Sequence, residues 1–124
     1  MRILFLDDDF NRICRFKSEV MSPEVVMTAV VCIDALKGNE WDIMCLDHDL
    51  GGETYVDSDN KNTGMEVVRW IVANKPKIGQ IFVHSYNVGA AHVMAQDLSK
   101  AGYAVVRAPF GHPLFDEINR KAAQ

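Results

Sequence analysis

The segment DIMCLDHDLGG, residues 42–52, decides the fold. It begins with a short, nearly continuous apolar run in which polar and apolar residues do not alternate. Such a run is typical of a strand that is buried on both faces, as in a parallel sheet covered by helices. Asp47, His48 and Asp49 stand where the run ends, and two glycines follow shortly after them. The segment therefore predicts a central parallel strand that delivers charged groups to its carboxyl end.

Similar apolar runs recur along the chain and alternate with helix-like segments. The predicted strands cover residues 2–7, 24–30, 42–47, 80–85 and 103–108. The predicted helices cover residues 10–20, 33–39, 63–75, 87–102 and 113–123. This (βα)5 alternation predicts one α/β domain over residues 1–124, a three-layer sandwich with a flavodoxin-like or receiver-like fold. Because crossovers between parallel strands are right-handed, few topologies remain, and the parallel sheet order 2-1-3-4-5 is favoured.

Local signals place several helix ends. Thr63 and Glu66 have the spacing of a capping box, and Asn87 is a predicted N-cap. In the first helix, four residues fall roughly on one face, namely Phe10, Ile13, Cys14 and Phe16. These signals agree with the helices predicted from the apolar pattern.

The composition excludes several classes of protein. The net charge is −4 with no basic stripe, which argues against sequence-independent binding of nucleic acid but is compatible with a small phosphate ligand at one local site. The longest apolar stretch, residues 24–33, is far shorter than the roughly 20 residues that a membrane span needs. Cys14, Cys32 and Cys45 form no CxxC pair and are predicted to be buried thiols. We expect a cytoplasmic protein.

Polar side chains gather at one edge of the predicted sheet. Strand one ends in Asp7, Asp8 and Asp9, strand three in Asp47, His48 and Asp49, strand four in His84, Ser85 and Asn87, and strand five in Arg107. In the order 2-1-3-4-5 these four strands are consecutive neighbours, each about 4.8 Å from the next. We therefore expect these groups to surround one pocket at the carboxyl edge, where open α/β sheets bind their ligands.

The same residues carry a resemblance to a known family. The sequence LDDD at 6–9, an aspartate after strand three, a hydroxyl after strand four and a basic residue before PF resemble a response-regulator receiver domain over nearly the whole chain. The resemblance implies that Asp7, Asp8 and Asp47 hold magnesium and that Asp47 accepts a phosphoryl group. It also implies that Ser85 is the switch hydroxyl and that Arg107 stands near the usual lysine.

The departures from this pattern resemble a narrower group. LDHDLGG at 46–52 and HSYN at 84–87 are similar to the motifs of the cyclic-phosphate processing receiver domain. Arginine replaces lysine, RAPF at 107–110 has one residue more than KPF, and the loop at 51–62 is longer than usual. This narrower resemblance implies a small cyclic phosphate or nucleotide as the ligand.

Opening a cyclic phosphodiester needs a base for water, an acid for the leaving alkoxide and donors for the phosphate oxygens. Histidine titrates near neutral pH, so His48 and His84 are the predicted acid/base pair, with Asp47 to orient a ring or bind a metal. The predicted ligand-binding residues are Asp49, Ser85, Asn87 and Arg107. No step strictly requires a metal, and magnesium stays an option.

Two other functions remain open from the sequence. One is a signalling receiver that is phosphorylated on Asp47 with magnesium, and the other is a non-catalytic binder of cyclic nucleotides. The loop at 51–62 is predicted to be a lid over the ligand, and Tyr55 and Tyr86 are candidates for stacking on it. Neither double-stranded nucleic acid nor a membrane is an expected partner, and the oligomeric state is not determined by the sequence.

Overall fold

A computed structural model describes residues 1–52 and 55–123 of the chain. The strands are β1 Ile3–Leu6, β2 Glu24–Val26, β3 Trp41–Leu46, β4 Ile78–Val83 and β5 Val105–Arg107. The helices are α1 Phe10–Glu19, α2 Ala29–Leu36, α3 Gly64–Asn74, α4 Val88–Lys100 and α5 His112–Ala122. No helix among the described residues is both long and apolar enough to cross a membrane.

The five strands form one parallel sheet in the order β2-β1-β3-β4-β5, which confirms the predicted topology. The last residues of the inner strands are in register, since Leu6 pairs with Leu46 and Leu46 pairs with Val83. Val83 in turn pairs with Arg107 at the end of β5. The chain segments that follow these strands therefore all begin at one edge of the sheet.

The sheet is buried on both faces, as the continuous apolar runs predict. Along β1, Leu4 and Leu6 pack with residues of α2, α3 and α4, whereas Ile3 and Phe5 pack with residues of α1 and α5. Side chains that alternate along each inner strand thus feed two separate hydrophobic clusters. The result is the expected three-layer sandwich.

The second strand and second helix differ from their predicted positions. The strand predicted over 24–30 ends at Val26, and the helix predicted over 33–39 is Ala29–Leu36. The Thr28 hydroxyl accepts the N–H of Val31 at 3.2 Å and caps this helix. A short apolar run does not distinguish a buried strand from a buried helix, so the cap at Thr28 is what ends the strand.

The remaining strands also end earlier than predicted. β1, β3 and β4 each stop one or two residues before the predicted limit, so Asp7, Asp47 and His84 lie in the loops that follow them. β5 begins at Val105 because Tyr103, predicted to lie in the strand, donates its N–H to the Leu98 carbonyl at the end of α4. The shorter strands place the polar groups at the carboxyl edge and outside the hydrogen-bonded ladder.

The first helix buries a narrower face than predicted. Ile13 and Phe16 are buried against the sheet, but Phe10 and Cys14 are exposed. The prediction that all three cysteines are buried is therefore wrong for Cys14, although it holds for the other two. The buried stripe of α1 is filled by Ile13 and Phe16, which leaves Phe10 at the helix start without a place in the core.

The start of α3 lies directly against the end of β3. Thr63 caps the helix by accepting the Glu66 N–H at 3.3 Å, as predicted. The next residue, Gly64, donates its N–H to the His48 carbonyl at 2.9 Å. A Cβ atom added at Gly64 would lie 1.9 Å from the carbonyl oxygen of Asp47. Only glycine fits at this junction, which sets the position of the backbone at Asp47.

We expect Gly64→Ala to lower the free energy of unfolding by about 1–3 kcal/mol, because the added methyl group forces the start of α3 away from β3. Urea denaturation of the two proteins measures the change. Gly89→Ala is the matched control, since a Cβ there meets no atom within 4 Å and alanine favours the helix. Equal losses of stability in both variants would contradict the prediction that the close contact of Gly64 with Asp47 causes the loss in Gly64→Ala.

Candidate functional site

A cavity of about 440 Å³ opens at the carboxyl edge of the sheet. Six residues predicted for the site line it, namely Asp8, Asp47, Asp49, His84, Ser85 and Asn87. Tyr55 and Tyr86, the predicted stacking candidates, also line it, as do Asp9, Phe10, Arg12 and Gly52. The ends of β1, β3 and β4 and the starts of α1 and α4 thus meet at one place, as the strand order requires.

Asp7 lies at the base of this site, fully buried, with four hydrogen bonds to its carboxylate. Its Oδ1 accepts the Asp9 backbone N–H at 3.0 Å and Arg12 Nη2 at 2.9 Å. Its Oδ2 accepts Arg12 Nε at 2.8 Å and His84 Nε2 at 3.0 Å. Although burial opposes ionisation, the hydrogen bonds from His84 and Arg12 lower the pKa of Asp7 to about 2. Asp7 is therefore a permanent anion with every acceptor position filled.

Asp47 is a second buried carboxylate, but its environment raises its pKa, whereas that of Asp7 lowers its pKa. Burial raises the pKa of Asp47 to about 6, against the attraction of His84 and Arg12. Its closest charged partner is Arg12, whose Nη2 lies 3.4 Å from Asp47 Oδ2. Two neighbouring carboxylates whose pKa values are pushed apart are a common arrangement for acid/base chemistry. Asp47 is the one that gains and loses a proton near neutral pH.

Arg12 joins the two carboxylates, and the sequence analysis did not identify it. It lies in the first turn of α1, where its backbone N–H donates to the capping Asp9 carboxylate at 2.9 Å. The helix start thus turns its guanidinium back over the end of β1. The signal was present in LDDDFNR at 6–12, where an arginine follows the capping aspartate by three residues and so returns to the same side of the helix.

The structure does not bring Arg107 to the cavity. Its side chain is exposed, and it makes no hydrogen bond or ion pair with any residue in 1–52 or 55–123. Side chains alternate along a strand, so Arg107 shares a face with Val105, which packs on the cluster under α4. The basic residue at the site comes from α1, not from β5.

His48 is completely buried and does not line the cavity. Its Nδ1 lies 2.8 Å from Asp49 Oδ1, and its Nε2 lies 3.0 Å from the Ser58 hydroxyl. Against the effect of partial burial, hydrogen bonds from His48 and from the backbone hold the pKa of Asp49 below its usual value. An ionised Asp49 only accepts hydrogen bonds, so Nδ1 of His48 is the donor. The structure therefore does not bring the two histidine rings to a common cavity.

The loop over His48 is attached at several points. Asp49 accepts the backbone N–H groups of Tyr55 at 2.9 Å and Val56 at 3.0 Å, and it also accepts Asn87 Nδ2 at 3.2 Å. Gly52 donates its N–H to the Asp8 carboxylate. The predicted lid spans residues 51–62, of which 53 and 54 lie outside the described residues. Its described part is hydrogen-bonded to Asp8, His48 and Asp49 and covers the ring of His48.

His84 is almost completely buried, with its ring stacked on Phe5 at a centroid distance of 4.9 Å. Because the ionised Asp7 only accepts, His84 Nε2 carries the proton of that hydrogen bond. The opposite nitrogen, Nδ1, has no partner, and no other buried side-chain nitrogen or oxygen in the described part of the chain lacks one. An unpaired buried polar atom of this kind calls for a functional explanation.

Two of the three predicted magnesium ligands, Asp7 and Asp47, contact Arg12, and the third, Asp8, accepts the Gly52 N–H. The magnesium site stays a prediction. One ligand atom each from Asp7, Asp47 and His84 lies within 4.8 Å of the others. However, the carboxylate of Asp7 already accepts four hydrogen bonds, and the Arg12 guanidinium bridges it to Asp47. Magnesium needs open oxygen ligands in octahedral geometry with several waters. Arg12 therefore supplies the positive charge between the two carboxylates.

Comparisons with known proteins agree with this fold. The family model described as the cyclic-phosphate processing receiver domain matches residues 2–100. A signal receiver domain from Vibrio parahaemolyticus is 18% identical, with a TM-score of 0.66 over 98% of this chain and 86% of that one. A CheY-like response regulator receiver domain from Methanospirillum hungatei is 19% identical, with a TM-score of 0.64 over 98% and 93%. No curated protein matches.

We expect Arg12→Leu to lower the free energy of unfolding by about 3–5 kcal/mol near neutral pH, because it leaves a buried carboxylate without its main partner. The pKa of Asp7 is held below its unfolded value of 3.8. The difference in stability between the two proteins should therefore be complete above about pH 4 and should disappear as the pH falls towards 2. Denaturation at several pH values measures this. Arg120→Leu, on the exposed side of α5, is the control, and an equal effect there would contradict the role of Arg12.

Asp47→Asn should stabilise the fold at neutral pH. The pKa of Asp47 is raised from 3.8 to about 6, so its contribution to stability is fully present below pH 4 and is lost as the pH rises through 6. The gain from asparagine should grow over this range to about 2–3 kcal/mol. Urea unfolding at pH 4, 5, 6 and 7 tests it, with exposed Asp116→Asn as control. A gain that does not change with pH would refute the assignment.

Proposed function

The chain belongs to the cyclic-phosphate processing receiver domain family, and from this premise we propose that it binds and hydrolyses a small cyclic phosphate at the cavity beside Asp47. The observation that carries the proposal is the pair of buried carboxylates. Asp7 stays ionised and fixes the positions of Arg12 and His84, whereas the pKa of Asp47 lies at about 6 on the cavity wall. A group that titrates just below neutral pH is well suited to proton transfer.

In this proposal Asp47 is the base and His84 is the acid. Asp47 takes a proton from a water molecule, whose oxygen attacks the phosphorus atom. The bond from phosphorus to one of the two ring oxygens breaks, and protonated His84 gives the Nδ1 proton to that oxygen. The product is a linear phosphomonoester with one free hydroxyl. The hydrogen bond between His84 and Asp7 orients the ring for this role, as a carboxylate does in other acid/base pairs.

Arg12 and Ser85 are the proposed phosphate-binding groups. The Nη1 of Arg12 has no hydrogen-bond partner among the described residues, and the guanidinium borders the cavity. The Ser85 oxygen accepts the Asn87 N–H at 3.0 Å, which leaves its own O–H available as a donor. The start of α4 lies beside them and adds backbone donors and a favourable dipole. These donors replace the role that the sequence suggested for Arg107.

The layer formed by His48, Asp49 and Asn87 has a positioning role in this proposal. Both nitrogens of His48 are occupied, by Asp49 and by Ser58, and the ring has no access to the cavity. Asn87 caps α4 through the Ala90 N–H at 3.3 Å and also donates to Asp49. The layer therefore joins the loop at 51–62 to the wall of the cavity and sets its shape.

The decisive experiment is incubation with a panel of 2′,3′-cyclic and 3′,5′-cyclic nucleotides, with and without magnesium, followed by chromatography and phosphorus NMR. We expect ring-opened monoester from the intact protein. Asp47→Asn and His84→Gln should each lower kcat about 10²- to 10⁴-fold while the fold persists. The acidic limb of the pH profile of kcat/KM, near pH 6, should report the pKa of Asp47. His92→Gln, on the exposed face of α4, is the matched control.

Two outcomes would overturn the proposal, one from this incubation and one from a parallel treatment with acetyl phosphate. Recovery of intact ligand from the protein, with no product, would indicate a non-catalytic binder. A phosphoryl adduct on Asp47 after treatment with acetyl phosphate and magnesium, with no turnover of cyclic phosphates, would indicate a signalling receiver. Full activity of His84→Gln would contradict the acid/base assignment alone.

A further inference from the structure

Three large aromatic side chains at the mouth of the cavity are exposed to solvent. Phe10 is 75% exposed, Tyr55 is 78% exposed and Tyr86 is 60% exposed, and all three line the same cavity. Single exposed apolar residues are ordinary on a protein surface. Three exposed aromatic residues line one polar cavity, and neither the fold nor the proposed chemistry explains them.

The ring of Tyr86 is held in place without a ligand. Its hydroxyl donates to the carbonyl oxygen of Phe110 at 2.6 Å, across the opening between β4 and α5. Its neighbours Ser85 and Asn87 belong to the proposed phosphate-binding wall. A preformed aromatic face beside a phosphate site binds a flat ring with little loss of side-chain freedom.

Tyr55 is held at the cavity by its backbone. Its φ of +54° lies in the left-handed region, which is uncommon for a bulky residue and costs free energy. The Asp49 carboxylate stabilises this conformation by accepting the N–H groups of Tyr55 and Val56. The layer beneath the loop thus presents an aromatic side chain to the cavity in a strained conformation, and such strain is often found at ligand-binding positions.

Phe10 is the third exposed aromatic residue that lines the cavity. It is the first residue of α1 and lies between the capping Asp9 and the cavity residue Arg12. The core-facing stripe of α1 is filled by Ile13 and Phe16. The Phe10 ring is therefore outside the hydrophobic core and beside the group that holds the phosphate in our proposal.

The charge of the cavity limits the ligand further. Asp8, Asp9 and Asp49 line it together with Asp47, whereas Arg12 is the one lysine or arginine among the lining residues. Such a site disfavours a polyphosphate or a dianionic monoester, because each added negative charge meets several carboxylates. It accepts a singly charged phosphodiester whose remaining surface is uncharged. A flat, neutral aromatic ring meets that requirement.

We propose that Phe10, Tyr55 and Tyr86 form a stacking subsite for the nucleobase of a mononucleotide cyclic phosphate. This inference rests on the proposed function, since the phosphate position fixes where the base lies. Base–aromatic stacking tolerates different bases, because every base has a π-face. The subsite therefore selects nucleotide cyclic phosphates over cyclic phosphates of sugars or polyols.

The test compares 2′,3′-cyclic AMP with glycerol 1,2-cyclic phosphate, which carries a cyclic phosphate of the same kind without a base. Calorimetry in the Asp47→Asn background, where we expect turnover to be about 10²- to 10⁴-fold slower, gives the Kd of each ligand. Phe10→Ala, Tyr55→Asn and Tyr86→Leu should each raise the Kd of 2′,3′-cyclic AMP about 5- to 100-fold and leave that of the glycerol compound unchanged. Asparagine is used at position 55 because it tolerates positive φ.

The controls separate stacking from other effects. Tyr86→Phe keeps the ring and loses only the hydroxyl tether, so we expect a Kd much closer to the parent value. Val30→Ala removes an exposed apolar side chain from α2, which does not line the cavity, and should change neither Kd. Circular dichroism checks that each variant is folded.

The parent in these measurements is the Asp47→Asn protein. If it binds both ligands with equal affinity, or if the aromatic variants weaken the binding of both ligands alike, the stacking subsite is overturned while the proposed function stands. Unchanged affinity for 2′,3′-cyclic AMP in all three variants would overturn it as well. Failure of the parent to bind either ligand, together with no turnover in the unsubstituted protein, would instead refute the proposed function.

Discussion

The site depends on one ion pair, the bidentate contact of Arg12 with the buried carboxylate of Asp7. A carboxylate without solvent contact is costly unless its acceptor positions are filled, and here the guanidinium fills two of them. Because α1 starts directly after β1, the same arginine also reaches Asp47 at the end of β3. The imidazole of His84, at the end of β4, completes the set on Asp7. Three neighbouring strands are thereby joined at their carboxyl ends by one charged cluster, and the polar atoms of the site are held in fixed positions.

The cluster divides two chemically identical side chains into two roles. Asp7 receives four donors and keeps its charge, whereas the only side-chain hydrogen bond of Asp47 among the described residues is the one from Arg12 at 3.4 Å, and burial raises its pKa to about 6. The same division separates the two histidines. His84 faces Asp7 and has an unpaired nitrogen, while His48 is saturated by Asp49 and Ser58 under the loop. Side chains of the same kind and similar burial therefore differ in the number of their partners, and this difference is the ground on which we assign Asp47 and His84 to the proposed chemistry.

The sequence predicted the sheet order and the meeting of polar groups because both follow from short-range patterns. Continuous apolar runs identify buried parallel strands, and the carboxyl ends of such strands share one edge. The predicted helix caps at Thr63 and Asn87 are confirmed for the same reason, since capping is local. Thr28 shows the limit of this reasoning, because the apolar residues around it suit a strand or a helix equally well. A second limit concerns which side chains reach the cavity. Strand alternation decides this for Arg107, the turn of α1 decides it for Arg12, and the loop that folds back decides it for His48. The three-residue spacing from Asp9 to Arg12 was a usable signal for the helix turn, whereas the place where a long loop folds back is not visible in spacing along the chain.

The positive charge at the centre of the site belongs to a side chain of α1 and is covalently part of the protein. A bound ion exchanges with its surroundings, and its occupancy follows its free concentration, whereas a guanidinium stays in place and stays charged. The cluster of Asp7, Arg12 and His84 is therefore complete as soon as the chain folds. All the groups that fill the acceptor positions of the Asp7 carboxylate come from the chain itself, so these hydrogen bonds form together with the fold.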